Sequence, residues 1–334
     1  MHHLVSDGWS TPLLVQELLQ IYAAGGSAAG LAPVAPFSDY LDWLGEQDVA
    51  AGVEVWRELL DGVDEPTLVA PSGTALRPEF PAELTVAVPE GLSRRLVEAS
   101  RAQGVTVNGL VQTAWGLLVG SLTGRSDVVF GAIVSGRVPD VPGVESMIGL
   151  FINTVPVRVR AQAGESITDL VARTHGAQNR VMDHQYVGLA DIQRAVGIGE
   201  LFDTLLVFEN YPVDRDALDA AQRDGGVRVG SVGGSDATNF PLVLVAGLEG
   251  ELHLGLEYRT DLFTDATPPR WGSGSCASST SSSPRTPGPW RNSTCSRPTS
   301  GPVCVASGRR PPRHRRAERR PSPTSSHSRS RAPR

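Results

Sequence analysis

The chain has 334 residues, of which 40% are hydrophobic and 20% are charged, an ordinary composition for a globular protein of up to two or three domains. It contains no run of about 18 apolar residues that could span a bilayer, and no basic-then-apolar secretion signal begins it. We therefore expect a cytoplasmic protein without a membrane partner. Its three cysteines, Cys276, Cys295 and Cys304, all follow residue 270, so we expect neither a disulfide nor a metal site in the folded part.

The net charge of −6 is divided unequally along the chain. Residues 1–270 contain 17 arginines and 35 acidic residues, whereas residues 271–334 contain 13 arginines and the single acid Glu318. A basic tail of this kind is typical of nucleic-acid-binding arms. The composition of this tail favours a different interpretation, given below, and we expect no nucleic-acid partner.

The first ten residues read His-His-x-x-x-Asp-Gly-Trp-Ser after the initial methionine. A histidine exchanges its proton near neutral pH, so the pair His2-His3 offers a general acid or base. The pair Asp7-Gly8 predicts a tight turn in which Gly8 adopts backbone angles that other residues avoid. The pattern therefore predicts a histidine on an irregular segment, followed by a turn and then by a helix.

Apolar residues at helical spacing predict a helix over 11–24 that ends at Gly25-Gly26, and shorter helices over 39–44 and 53–60. Trp43 and Trp56 lie among these apolar positions, so we expect both in the core. Residues 61–77 have turn residues and no clear period, which indicates a crossover between lobes.

Beyond residue 78, alternating and β-prone runs predict strands over 82–88, 127–134, 201–211, 240–245 and 251–258, and a β-prone run around 152–157. Helices are predicted over 91–103, from about 105 to 122 and over 167–182, with Thr106 or Asn108 as the cap of the second. The glycine-rich residues 224–238 indicate a mobile hairpin or a segment that crosses between lobes.

Four stretches in order resemble the motifs of the condensation domains of non-ribosomal peptide synthetases. They are the His2–Gly8 motif, "DVVFGAIVSGR" ending at Arg137, "IGLFINT" ending at Thr154, and the "HQ" segment at His184-Gln185 with the strand after it. The resemblance covers residues 1 to about 270. It implies an α/β, chloramphenicol-acetyltransferase-like fold with the end of a first lobe and the linker in 1–78. A nearly complete second lobe, a mixed sheet flanked by helices, would occupy 79–270.

The resemblance also implies roles for individual residues. His3 would be catalytic, and Arg137 would pair with Asp7 to support the site together with His2 and Gly8. Trp9 and Asn153 would line the substrate tunnel. From the residues alone, Asn153 inside a β-prone run is either a satisfied core group or a group that faces a cavity. For His184, the sequence favours a structural role.

The implied reaction joins an aminoacyl or peptidyl thioester donor to an aminoacyl acceptor. Both would be carried on phosphopantetheine arms of partner peptidyl carrier domains, next to an adenylation domain, while this domain binds no cofactor. A neutral imidazole accepts or orients the proton of the amine, and a thioester needs no metal or serine nucleophile. The motif differs from the D-x-x-x-x-D of the cyclising subgroup, and "IGLFINT" favours condensation over epimerisation. An ester-forming or epimerising relative remains an alternative.

A second alternative is an inactive truncated fragment that at most binds a carrier protein, because in the family a whole lobe precedes the motif. Residues 271–334 contain 16 Ser, 13 Arg and 10 Pro, which cannot build a core. If the reading frame is shifted by two bases, the T that begins a TCN serine codon or a cysteine codon becomes the middle base of a new codon. Codons with T in the middle encode apolar residues. These new apolar positions fall at helical spacing from Ser275 to Ser283. We therefore expect 271–334 to be out of frame, disordered and without function.

Overall fold

The computed structural model describes residues 3–71, 74, 80–209 and 238–263. The predictions for the glycine-rich residues 224–237 and for the tail 271–334 lie outside these ranges, as do the three cysteines. Both predicted boundaries, after residue 78 and after residue 270, also lie outside them. The division into two lobes and a tail therefore stays a prediction.

The described chain forms seven α-helices and six β-strands. The helices are α1 Ser10–Ala23, α2 Phe37–Gly45, α3 Val49–Leu59, α4 Leu92–Gln103, α5 Val107–Thr123, α6 Ile167–Arg180 and α7 Leu189–Val196. The strands are β1 Ala82–Val86, β2 Asp127–Val134, β3 Asn153–Arg160, β4 Thr204–Glu209, β5 Leu242–Glu249 and β6 Glu251–Tyr258. The sequence predicts all of them except α7, which has only two turns.

The strands form one mixed sheet in the order β1-β6-β5-β4-β2-β3. The pairs β2–β4 and β4–β5 are parallel, whereas β1–β6, β5–β6 and β2–β3 are antiparallel. Strand β2 therefore lies inside the sheet, and the residues that follow it leave from the carboxyl end of a parallel pair. The predicted mixed α/β fold is confirmed.

The helix ends follow from local hydrogen bonds. Thr106 caps α5, because its Oγ1 accepts from the main-chain N–H of Gly109 at 3.0 Å, and this decides between the two caps that the sequence allowed. At the end of α1, the N–H of Gly26 donates to the carbonyl of Ile21 at 2.8 Å. The predicted end of α1 is thereby confirmed.

The larger core lies between the sheet and helices α5 and α6. Alternate residues of β2 and β3 point to the same side, as the period of two requires. This core contains Val111, Trp115 and Val119 of α5, Leu170 of α6, Val128 and Phe130 of β2, and Val157 and Val159 of β3.

Trp56 of α3 is fully buried in a second core with Val129 and Phe202. Its indole N–H donates to the carbonyl of His184 at 2.9 Å, so the ring is satisfied at its polar edge. Trp43 is half-buried and stacks on Tyr40 with ring centroids 5.8 Å apart. Of the two tryptophans expected in the core, Trp56 is therefore enclosed and Trp43 lies at the edge.

The irregular segment after α3 is attached to the sheet by main-chain bonds. The N–H of Thr67 donates to Leu201 O at 2.9 Å, and its Oγ1 accepts from the N–H of Val129 at 2.9 Å. The buried carboxylate of Asp203 accepts from the N–H groups of Val69 and Ala70. Burial raises the pKa of Asp203, although these two donors act in the opposite direction.

No single described helix is both long and apolar enough to cross a membrane. Helices α4 and α5 together have the length and apolar composition of such a span, but the pair is bent by 103°. Much of α5 is covered by the sheet and α6, since seven of its residues are buried.

A pair of glycine substitutions tests the packing at the centre of the sheet. A Cβ on Gly131 of β2 would lie 2.5 Å from Phe202 Cε2, whereas a Cβ on Gly176 of α6 would meet nothing within 4 Å. We expect Gly131→Ala to lower the free energy of unfolding by about 1–3 kcal/mol through overpacking. As the control, Gly176→Ala raises it by up to about 1 kcal/mol, because alanine favours the helix. Urea unfolding measures both, and equal effects would contradict this packing.

The raised pKa of Asp203 predicts a pH dependence of stability. Between the pKa of an unfolded aspartate, about 3.9, and the raised value, the folded protein holds a proton that the unfolded chain has lost. The contribution of Asp203 to the free energy of unfolding therefore falls as pH rises through this window. Measured from acid to neutral pH, the free energy of unfolding should fall more in the wild type than in Asp203→Asn, where only other groups with a raised pKa, such as Glu209, still contribute. The exposed control Glu98→Gln should keep the fall seen in the wild type. A fall of equal size in Asp203→Asn would refute the assignment of this pH dependence to Asp203.

Candidate active site

The site is built on the short path from the two histidines to α1. The backbone of His3 begins a single 3-10 turn, His3–Val5, and Gly8 and Trp9 form the turn that leads into α1. His2 and the side chain of His3 lie outside the described part of the structure. The predicted order of histidine, turn and helix is confirmed for the backbone.

Asp7 connects this path to two other parts of the chain. Its N–H donates to the carbonyl of Gly149 at 3.0 Å. Its Oδ1 accepts from the N–H of Ser10 at 2.9 Å and from Ser10 Oγ at 2.7 Å, while Oδ2 accepts from the N–H of Phe151 at 3.2 Å. Because the residue is only 2% exposed, these bonds replace water around the carboxylate. Asp7 therefore fixes both the start of α1 and the residues just before β3.

Arg137 follows the end of β2 and is the cationic partner of Asp7. Its Nη2 lies 3.1 Å from Asp7 Oδ1, and the two side chains are 2% and 0% exposed. Its Nη1 donates to the carbonyls of Val144 at 2.5 Å and Met147 at 2.9 Å. The predicted contact between Asp7 and Arg137 is present, and the guanidinium also shapes the loop between β2 and β3.

Aromatic rings enclose the ion pair. The guanidinium carbon of Arg137 lies 4.0 Å from the centroid of the Phe151 ring and 5.2 Å from that of Trp9, within range of cation–π attraction. Tyr40 packs on Phe151 with ring centroids 4.6 Å apart. Burial lowers the pKa of Arg137, opposed by the charge of Asp7, and burial raises the pKa of Tyr40, opposed by Arg137. The pair is therefore held in a mainly apolar environment.

The residue before Arg137 must be a glycine. Gly136 has φ 63°, in the left-handed region, and a Cβ there would lie 1.9 Å from the carbonyl oxygen of Phe151. This close approach brings the β2 end beside the segment that donates to Asp7. A side chain at position 136 would force the two segments apart and separate the ion pair.

Comparison with known proteins identifies the family. The family model described as the condensation domain matches residues 1–274. The chain belongs to the condensation domain family. It is 36% identical over 274 residues to a linear gramicidin synthase of Brevibacillus parabrevis, and 33% identical over 269 residues to bacitracin synthase 3 of Bacillus licheniformis. Each alignment covers 78% of this chain but only 4% of the relative, so the chain spans a small part of these proteins.

Solved structures show the same fold. The first condensation domain of the CDA synthetase superposes with a TM-score of 0.61 at 20% identity, over 80% of this chain and 59% of that one. The X-domain from teicoplanin biosynthesis superposes with a TM-score of 0.62 at 23% identity, over 80% and 64% of the two chains. The chain thus spans about three fifths of these structures, and the condensation-domain fold expected from the motifs is confirmed.

The other predicted site residues of this condensation-domain chain have structural contacts of their own. The indole N–H of Trp9 donates to the carbonyl of Glu145 at 3.0 Å. The amide of Asn153 donates to the carbonyls of Gln185 and Val187, each at 2.8 Å, so it is a satisfied group that holds the segment after α6. Their predicted place in a substrate tunnel stays a prediction.

The turn predicted at Asp7-Gly8 is present at Gly8 and Trp9. Gly8 is not among the described glycines with positive φ, so the turn does not depend on a left-handed residue at this position. The turn is instead held by the hydrogen bonds of Asp7 and the start of α1. Among the described residues, no group of three or more His, Cys, Asp or Glu is placed to hold a metal ion.

Ser10 is a site residue that was not predicted from the sequence. Its side chain is fully buried and bonds to Asp7, Arg137 and Gly149. Ser10 is the last residue of the motif, but its position also fits the first turn of a helix, where a serine commonly remains at the surface. His184, for which a structural role was favoured, accepts from the indole N–H of Trp56 through its carbonyl.

Breaking the ion pair tests how far the site depends on it. Asp7→Ala and Arg137→Ala should each lower the free energy of unfolding by about 3–5 kcal/mol, because each leaves the other charge buried without its partner. The double variant should lose less than the sum of the two, since both remove the same interaction. Chemical denaturation gives these values. The control Glu54→Ala breaks an exposed pair with Arg57 and should have little effect; additive losses at Asp7 and Arg137 would show that the pair is not coupled.

Proposed function

We propose that this chain carries the catalytic motif of a condensation domain in a non-ribosomal peptide synthetase. It forms an amide bond between an aminoacyl or peptidyl thioester donor and an aminoacyl acceptor, both bound to the phosphopantetheine arms of carrier domains. The observation that carries the proposal is the match to the condensation-domain family over residues 1–274, which includes the His2-His3 motif. The relatives that the chain matches are peptide synthases.

The reaction is an acyl transfer. The acceptor amine nitrogen attacks the thioester carbonyl, the C–N bond forms, the C–S bond breaks, and the phosphopantetheine thiol leaves with a proton. The attacking nitrogen gives up one proton in this exchange. His3, the second histidine of the motif, accepts or orients that proton, and holding the amine in line with the carbonyl lowers the barrier further.

The structure supports a positioning role for the buried pair. Asp7 and Arg137 fix the backbone four residues after His3, and the bonds of Asp7 to Gly149 and Phe151 tie it to the end of the loop that leads into β3. In this proposal His2 and Gly8 support the same turn through their place in the motif. A rigid support of this kind holds the catalytic group in its reactive orientation, so less orientational freedom has to be lost when substrates bind.

Partners and surroundings follow from the same proposal. Trp9, packed against Arg137, and Asn153, at the start of β3, lie on segments that approach the motif, and we assign them to the wall of the substrate tunnel. Peptidyl carrier domains deliver both substrates, and an adenylation domain adjoins. One structure with this fold is a four-domain non-ribosomal peptide synthetase bound to AMP and glycine. A cytoplasmic location belongs to the proposal as well.

A histidine substitution tests the chemistry. In the synthetase that contains this chain, His3→Ala should reduce the rate of dipeptidyl-carrier formation by about 10²–10⁴-fold, the usual contribution of general acid–base catalysis. Mass spectrometry of the carrier-bound product measures the rate. As the control, His253→Ala replaces an exposed histidine on β6 and should keep the wild-type rate. Wild-type turnover in His3→Ala would refute the role of His3.

The same assay separates the alternatives. An acceptor that carries a hydroxyl in place of the amine tests ester formation, and a donor analysed for its stereochemistry tests epimerisation. A wild-type protein that binds loaded carrier but transfers nothing would favour the carrier-binding fragment. Amide product with the amine acceptor supports the proposal.

A further inference from the structure

We propose that Ser10 is a positioning residue of the condensation site, and that its hydroxyl holds the turn that carries His3. The inference rests on the proposed function for its catalytic consequence, but its structural part stands on the contacts of Ser10 itself. Among the described residues of the site, Ser10 Oγ is bonded at once to the motif turn and to both ends of the β2–β3 loop, at Arg137 and at Gly149.

The hydroxyl uses its full hydrogen-bonding capacity. Its hydrogen has two acceptors, Asp7 Oδ1 at 2.7 Å and the carbonyl of Gly149 at 3.0 Å. Its lone pairs face two donors, the N–H of Gly149 at 3.1 Å and Arg137 Nη2 at 3.2 Å. A hydroxyl offers one donor and two acceptor lone pairs, so no position is left for water. The side chain is fully buried, which agrees with this.

The position of Ser10 makes these bonds specific to the site. Oγ bonds to the carboxylate and to the guanidinium of the same ion pair, and therefore sets the orientation of one charge relative to the other. It also bonds to both the N–H and the carbonyl of Gly149, which fixes that peptide relative to the turn. An alanine would leave the Gly149 N–H without its partner. The space left by one hydroxyl is smaller than the roughly 30 Å³ that a water molecule occupies in the liquid.

The consequence reaches His3 through the short chain between them. Only Ser6 separates the turn His3–Val5 from Asp7, so a shift of Asp7 moves the backbone that presents His3. Misplacement of a reacting group by about 1 Å lowers a rate by roughly 10²-fold. Loss of the Ser10 hydroxyl should therefore reduce kcat while the Michaelis constants for donor and acceptor stay nearly unchanged, because Ser10 is buried and touches neither substrate.

Hydrogen exchange on the full chain tests the structural part without any turnover. In Ser10→Ala, amides in residues 3–10 and 147–151 should exchange at least about tenfold faster than in the wild type, with α5 and β2 unchanged. The matched control is Ser93→Ala, which removes another buried serine near a helix start, whose Oγ accepts from the N–H of Leu252 at 2.8 Å. This variant should speed exchange near Leu252 and leave the motif protected. Unchanged exchange at the motif in Ser10→Ala would overturn the inference.

Kinetics of the synthetase that contains this chain test the catalytic part. Ser10→Ala should lower kcat for dipeptidyl-carrier formation by about 10–100-fold with Michaelis constants within about threefold of wild type, and Ser93→Ala should keep both. If Ser10→Ala does not fold, Ser10→Cys fills the space with a weaker donor and acceptor. This variant should show a smaller loss of kcat, again with little change in the Michaelis constants. A wild-type kcat in either folded variant would overturn the positioning role. Absent turnover in the wild type would instead count against the proposed function, while hydrogen exchange still decides on Ser10.

Discussion

The site depends on one constraint: two opposite charges, Asp7 and Arg137, are buried together and are stabilised by hydrogen bonds to several parts of the chain. Removing such ions from water costs several kcal/mol each, and only close geometry with additional bonds recovers this cost. Asp7 accordingly receives three bonds besides those from Arg137, and Arg137 donates to two main-chain carbonyls. These requirements bring the motif turn and both ends of the β2–β3 loop to one point.

The sheet supplies the rigid frame for that point. Strand β2 lies between β3 and β4 in the sheet, and Arg137 follows its carboxyl end, the place where open α/β sheets commonly carry their sites. On the same frame, Asn153 and the indole of Trp56 hold the carbonyls of residues 184, 185 and 187. Side-chain bonds to main-chain groups thus fix the irregular segments beside the motif, while the strands fix one another.

Local patterns predicted the regular elements well. Strands β2 and β6 have the predicted bounds, because a β-prone run in β2 and an alternating run in β6 define them without reference to the rest of the chain. The short helix α7 was not predicted, since two turns give too little periodicity. Thr106 and Asn108 were equally suited to cap α5, and only the observed geometry distinguishes them. At Gly8 the dipeptide predicted the turn, and the hydrogen bonds of Asp7 hold it.

Four motifs in order already identify the family, and with it the pairing of Asp7 with Arg137. Local patterns also identify the helices and strands other than α7, because those elements depend on neighbours within a few residues. The folded chain alone shows that the hydroxyl of Ser10 joins the motif turn to both ends of the β2–β3 loop, that Asn153 is satisfied by the loop after α6, and that Gly136 touches Phe151. For Ser10, the deciding contacts to Gly149 and Arg137 link residues more than a hundred positions apart. No periodicity or spacing along the chain encodes such contacts, since they arise when the sheet brings distant backbones within hydrogen-bond distance.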